Sequence, residues 1–101
     1  MKKESMEKIR KGIREKDRQI VGLLNERASL SAEMGRLKDL LGREIYDPAQ
    51  ERRVLRCVAE INEGPLSAEA LGRIYREILS SSRQIQAPLS VACLGPESSF
   101  T

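Results

Sequence analysis

Between Ser5 and Leu41 the chain carries no proline, and one stripe of positions recurs at alternating steps of three and four. The stripe reads Met6, Arg10, Ile13, Asp17, Ile20, Leu24, Arg27, Ser31, Met34, Lys38, Leu41. This spacing belongs to helices that pack side by side. A helix of about 37 residues is about 55 Å long at 1.5 Å per residue. A globule of about 100 residues has a radius of gyration of only about 13 Å, so such a helix must project from the rest. A projecting apolar stripe needs a partner. The spacing therefore predicts a homodimer built along the first helix.

The same stripe carries three cations, Arg10, Arg27 and Lys38, where a purely structural seam would hold Leu, Ile or Ala. Charges on a packing face are costly unless something pairs with them, which points to an anionic guest. Arg27 and Lys38 are about 16 Å apart along the axis and within about 20° of one face, so both can lean towards one ligand. Arg10 lies about 25 Å from Arg27, too far to join them on a straight helix. It reaches the same ligand only from a second, antiparallel copy. The spacing thus favours a site shared between subunits.

The composition narrows the alternatives. The chain has 101 residues, 33% charged and 40% hydrophobic but only 3% aromatic. That suits one small helical domain, and a core this poor in large side chains favours oligomerisation. The net charge of +3 is mild and the two signs are interleaved, which argues only weakly for nucleic acid; a charged hairpin gripping nucleic acid ranks third among the readings, and no nucleic-acid partner is expected. No histidine is present, so any chemistry must proceed without the commonest general acid–base. Cys57 and Cys93 lack C-x-x-C spacing, and without histidine they offer no zinc site; reduced thiols in the cytoplasm are expected. No stretch of about 18 apolar residues predicts a membrane span, and no apolar segment follows the charged N-terminus.

Punctuation divides the remainder. Gly42 is placed to stop the first helix in the left-handed conformation. Asp47-Pro48 predicts a helix start with Asp47 as cap, and Gln50 is placed to complete a capping box. The second helix carries Val54, Leu55, Val58 and Ile61 on one side and should end at Glu63-Gly64-Pro65. A third helix begins at Ser67 and fades near Ala87-Pro88. The expected fold is all-α, three helices per chain with a long first one. Residues 89–94 then read as a short strand that is unstable alone, as if a second domain began there.

Two further polar pairs stand one helical turn apart, Asp47 with Glu51 and Ser82 with Gln86, the latter close to the apolar side of the third helix. With Arg27 and Lys38 they describe an anion pocket lacking a nucleophile–base pair, a metal cluster or a phosphate loop. Each residue also has a plainer reading: Arg10 as a solvated flank, Asp47 as a cap, Glu51 as a first-turn acid favoured by the helix dipole. A non-catalytic dimerisation or regulatory module is the alternative to an enzyme.

Several stretches together resemble the all-helical chorismate mutase family, in the form that opens bifunctional chorismate mutase–prephenate dehydratase proteins. They are Ile9-Arg10 through Asp17, Leu23-Leu24-Asn25-Glu26-Arg27, Gly35-Arg36-Leu37-Lys38, Tyr46 through Arg52, and Ser82 with Gln86. The tail from Val91 to Glu97 resembles the opening of prephenate dehydratase. The resemblance implies residues 1–88 as a mutase domain and 89–101 as the start of a truncated second domain. It implies an intertwined dimer that converts chorismate to prephenate for phenylalanine synthesis, without cofactor or metal.

By the same resemblance, Arg27 of one chain and Arg10 of the other bind the two carboxylates of chorismate. Lys38 and Gln86 donate to the ether oxygen and are the catalytic pair. Glu51 and the backbone near Asp47 hold the ring hydroxyl, and Ser82 sits beside a carboxylate. Gln50 departs from the pattern, since many relatives carry arginine there. The resemblance implies one cation fewer at the pocket and weaker substrate affinity.

Overall fold

A computed structural model describes residues 1–87. Three helices follow in order: α1 (Lys2–Leu40), α2 (Pro48–Ile61) and α3 (Ala68–Gln86). The expected all-helical, three-helix architecture is observed. The strand and domain boundary expected from residue 88 onward lie outside the described residues.

Helix α1 spans 39 residues and begins earlier than expected, at Lys2. Ser5, the expected start, already lies inside the first turn, its backbone N–H donating to the Met1 carbonyl. The C-terminal stop is as expected. Gly42 adopts φ +68°, its N–H bonds the Asp39 carbonyl at 3.1 Å, and the Arg43 N–H reaches back to Lys38 O at 2.7 Å. These two bonds make a Schellman motif, which needs a residue tolerant of positive φ.

Asp47 caps α2 by accepting from the Gln50 N–H at 3.1 Å, with Pro48 opening the helix. The capping box is not completed. Gln50 Oε1 instead accepts from Arg53 Nε at 3.0 Å, one turn along the exposed face. Helix α2 ends at Ile61, before the expected Glu63. There the Asn62 side chain organises the turn, accepting from the Gly64 N–H and donating to the Leu66 carbonyl, both at 2.9 Å. Ser67 caps α3 by accepting from the Ala70 N–H at 3.0 Å.

Helix α3 packs against both α1 and α2, which do not pack on each other. The radius of gyration is 17.9 Å and the long dimension 59 Å, well beyond a compact chain of this length. Among the described residues only Val58 and Leu79 are buried apolar side chains. Along α1 the buried positions, Ser31 and Gly35, both lie in its C-terminal half, where α3 crosses. Met6, Ile13 and Ile20 on the stripe are at least half exposed, and Leu24 is 41% exposed. Most of the seam therefore faces nothing within the chain.

Gly35 sets how closely α1 and α3 approach. A Cβ built there would lie 2.7 Å from Gln86 Cα and 2.8 Å from its carbonyl oxygen. An interior glycine costs a helix about 1 kcal/mol. Here the missing side chain admits the backbone of α3. Gly12 and Gly22 meet nothing within 4 Å and have no such role in the chain itself.

Candidate active site

A cleft of about 820 Å³ opens between the C-terminal half of α1, the 41–47 linker, the start of α2 and the end of α3. It is lined by Arg27, Lys38, Asp47, Glu51, Ser82 and Gln86, so six of the seven expected site residues share one cavity. Its size suits a small ligand. The seventh, Arg10, is not among its lining. Arg10 is exposed on the projecting part of α1, where Nη1 pairs with Glu7 Oε1 at 2.9 Å.

Two clusters give the cleft its shape. Arg27 Nη1 donates to Ser82 Oγ at 2.7 Å, and the Ser31 hydroxyl, one turn after Arg27, donates to the same oxygen at 3.2 Å. Ser31 and Ser82 are both buried. They satisfy each other and hold the guanidinium against α3. Lys38 Nζ donates to the Ile45 carbonyl at 2.9 Å and to Gln86 Oε1 at 3.2 Å, joining α1, the linker and α3 through one ammonium. Because Gln86 presents its oxygen to Lys38, its amide NH₂ end remains to donate.

Two members of this site do not emerge from the sequence. Ser31 reads there only as a stripe position, yet it supports Ser82. Arg83 does not stand out at all. Its Nη1 bonds both oxygens of Glu51, at 2.6 and 2.5 Å, and its guanidinium carbon lies 5.2 Å from the Tyr46 ring centroid. The hydrogen bond to Glu51 holds the guanidinium above its ordinary range; desolvation opposes this, and the carboxylate charge adds to it. Arg83 thus brings a cation to the cleft where the Gln50 departure implied a deficit. The available signal is its spacing: Arg83 follows Ser82 directly and sits one turn before Gln86.

Four cations, Arg27, Lys38, Arg43 and Arg83, line the cleft against three carboxylates, Glu44, Asp47 and Glu51. Among the described residues no group of three or more His, Cys, Asp or Glu side chains is placed to hold a metal. None of the helices described is long and apolar enough to cross a membrane. The fold and cleft together define an all-helical domain with a cation-lined cleft between α1, the linker and α3.

Residues 9–87 match the chorismate mutase type II family, and the chain belongs to it. It is 40% identical over 85 residues to the bifunctional chorismate mutase/prephenate dehydratase of Neisseria gonorrhoeae, covering 84% of this chain and 23% of that protein. The protein of the same description from Aquifex aeolicus is 38% identical over 102 residues, covering 97% of this chain and 28% of its own length. The chain thus spans about a quarter of the length of these relatives. A solved structure of chorismate mutase (form II) from Thermus thermophilus superposes with a TM-score of 0.79 at 33% identity, covering 80% of this chain and 92% of that one.

Proposed function

We propose that this chain rearranges chorismate to prephenate in a cleft completed by a second copy of itself. The observation that carries the reading is the Lys38–Gln86 pair, held by three segments at the centre of a cation-lined cleft in a chain of this family. The rearrangement is unimolecular: the ether C–O bond breaks as a C–C bond forms, and no proton moves. A site without histidine is therefore adequate. Its tasks are to hold the compact conformer and to stabilise negative charge developing on the ether oxygen.

Lys38 has three N–H donors, two of them engaged by Ile45 and Gln86, and the third is directed to the ether oxygen. The Gln86 amide donates beside it. Arg27, braced by Ser82, takes one carboxylate of the dianion. Glu51 and the backbone near Asp47 receive the ring hydroxyl.

The second carboxylate falls to Arg10 of the partner subunit. The exposed apolar seam of α1 supports this reading, since pairing two long helices covers Met6, Ile13, Ile20 and Leu24 and carries Arg10 to the other end. The intertwined homodimer is thus both the cover for the seam and the completion of the site. Residues 89–101 are read as the opening of a second domain, as in the bifunctional relatives, an assignment supported by the 97% coverage in the Aquifex aeolicus comparison. Residence in the reducing cytoplasm belongs to the same reading and would keep the exposed Cys57 thiol reduced.

The test is direct. Purified chain is mixed with chorismate, and substrate loss and prephenate formation are followed together. Stoichiometric conversion well above the uncatalysed rate supports the reading, and none at high protein concentration overturns it in favour of a dimerisation module.

A further inference from the structure

Arg83 enters the cleft from α3, and two other segments hold it. Glu51 on α2 takes Nη1 on both carboxylate oxygens, and Tyr46 in the linker lies beneath the guanidinium. The side chains of Arg83 and Glu51 are 38% and 22% exposed. Ion pairs that remain this wet contribute little to stability. What the contact does fix is direction. An ionised carboxylate has about four lone-pair sites, and Arg83 occupies one on each oxygen, leaving the others to the cavity. Glu51 is thereby an acceptor with a set orientation, on the wall where the ring hydroxyl of the proposed substrate is received.

We propose that Arg83 is a positioning residue: it keeps Glu51 aimed as the acceptor for the ring hydroxyl, and so sets the affinity for a hydroxylated dianion. This role rests on the reaction proposed above. The hydroxyl lies on neither the bond that breaks nor the bond that forms. An interaction with it is made equally before and during reaction, so its loss appears in KM and not in kcat.

The test is a double-mutant cycle with Arg83→Met, Glu51→Gln and the double variant, read as kcat and KM for chorismate, with Arg83→Lys as the conservative partner. Arg83→Met is expected to raise KM about tenfold with kcat within about twofold, the pattern that marks a loss of uniform binding. In the Glu51→Gln background the same substitution should change KM less than about twofold, because residues that act through one another are not additive. Arg83→Lys, which keeps the charge, should recover part of the affinity. The role is overturned if Arg83→Met lowers kcat at unchanged KM, leaves both unchanged, or raises KM by the same factor in both backgrounds, as a direct ligand contact would. A wild-type chain without turnover would overturn the underlying reaction itself; an active one showing any of those patterns overturns the role of Arg83 alone.

Discussion

The side chain that Gly35 lacks would collide with the backbone of Gln86, at 2.7 Å from its Cα. A glycine near the C-terminal end of α1 thus decides where the amide at the end of α3 stands relative to Lys38. Gly35→Ala should help α1 by about 1 kcal/mol of helix propensity, yet overpacking of this kind typically costs about 1–3 kcal/mol. The net expectation is a lower melting temperature together with a loss of turnover as Gln86 is pushed away. Thermal melts and kcat on the same preparation check this. Unchanged values of both would show that the close approach does not matter.

Lys38→Ala removes the ammonium that joins Ile45 and Gln86 and, on the proposed reaction, the donor to the ether oxygen. Losing one donor to a developing oxyanion costs about 2.7–4 kcal/mol, a factor of about 10² to 10³ in kcat. The helical circular dichroism spectrum should remain. Near-native turnover would remove Lys38 from the catalytic pair.

Ser82→Ala leaves the Arg27 guanidinium without its 2.7 Å partner and the buried Ser31 hydroxyl without an acceptor. A buried polar group left unpaired costs about 1–3 kcal/mol. The expected result is a stability loss of that size in denaturant melts and a raised KM, since Arg27 loses its brace. A shift in stability with an unaltered KM would make Ser82 a packing residue only.

No proton transfer is assigned to any residue, so kcat in D₂O should match kcat in H₂O, and a solvent isotope effect above about 2 would indicate a general acid or base. The Arg83–Glu51 contact adds no alkaline sensitivity near neutrality. The hydrogen bond to Glu51 raises the Arg83 guanidinium above its ordinary range. A group whose folded pKa is raised contributes fully below its unfolded value and loses that contribution only as pH rises through the folded one. Its share of stability should therefore be flat from about pH 7 to about pH 9. Melts across that interval check it.

How much of this is legible in the residues follows from the range of each interaction. The α1 stop at Gly42 and the caps at Asp47 and Ser67 are local, set by residues within one turn, and the sequence shows them. The α2 end is not legible in the same way, because Asn62 intercepts the chain with two side-chain bonds before the Gly64-Pro65 signal is reached. Lys38 and Arg27 stand out because a cation on an apolar seam conflicts with its neighbours. Arg83 raises no such conflict: on a short helix rich in arginine and glutamate it resembles a solvated residue, and its partner Glu51 lies on another helix. Gly35 has no local signal either, since only the crossing of α3 gives it a purpose.

The account turns on one cleft drawing Arg27 and Lys38 from one chain and Arg10 from another. The measurement that tests this most directly is chorismate turnover after mixing Arg10→Ala and Arg27→Ala chains, each inactive alone. In a two-fold dimer each mixed pair has one site with both arginines intact and one with neither. Random reassortment of equal amounts should then restore about one quarter of wild-type activity. No recovery, with exchange of subunits verified, would contradict the shared site and return both arginines to a single chain.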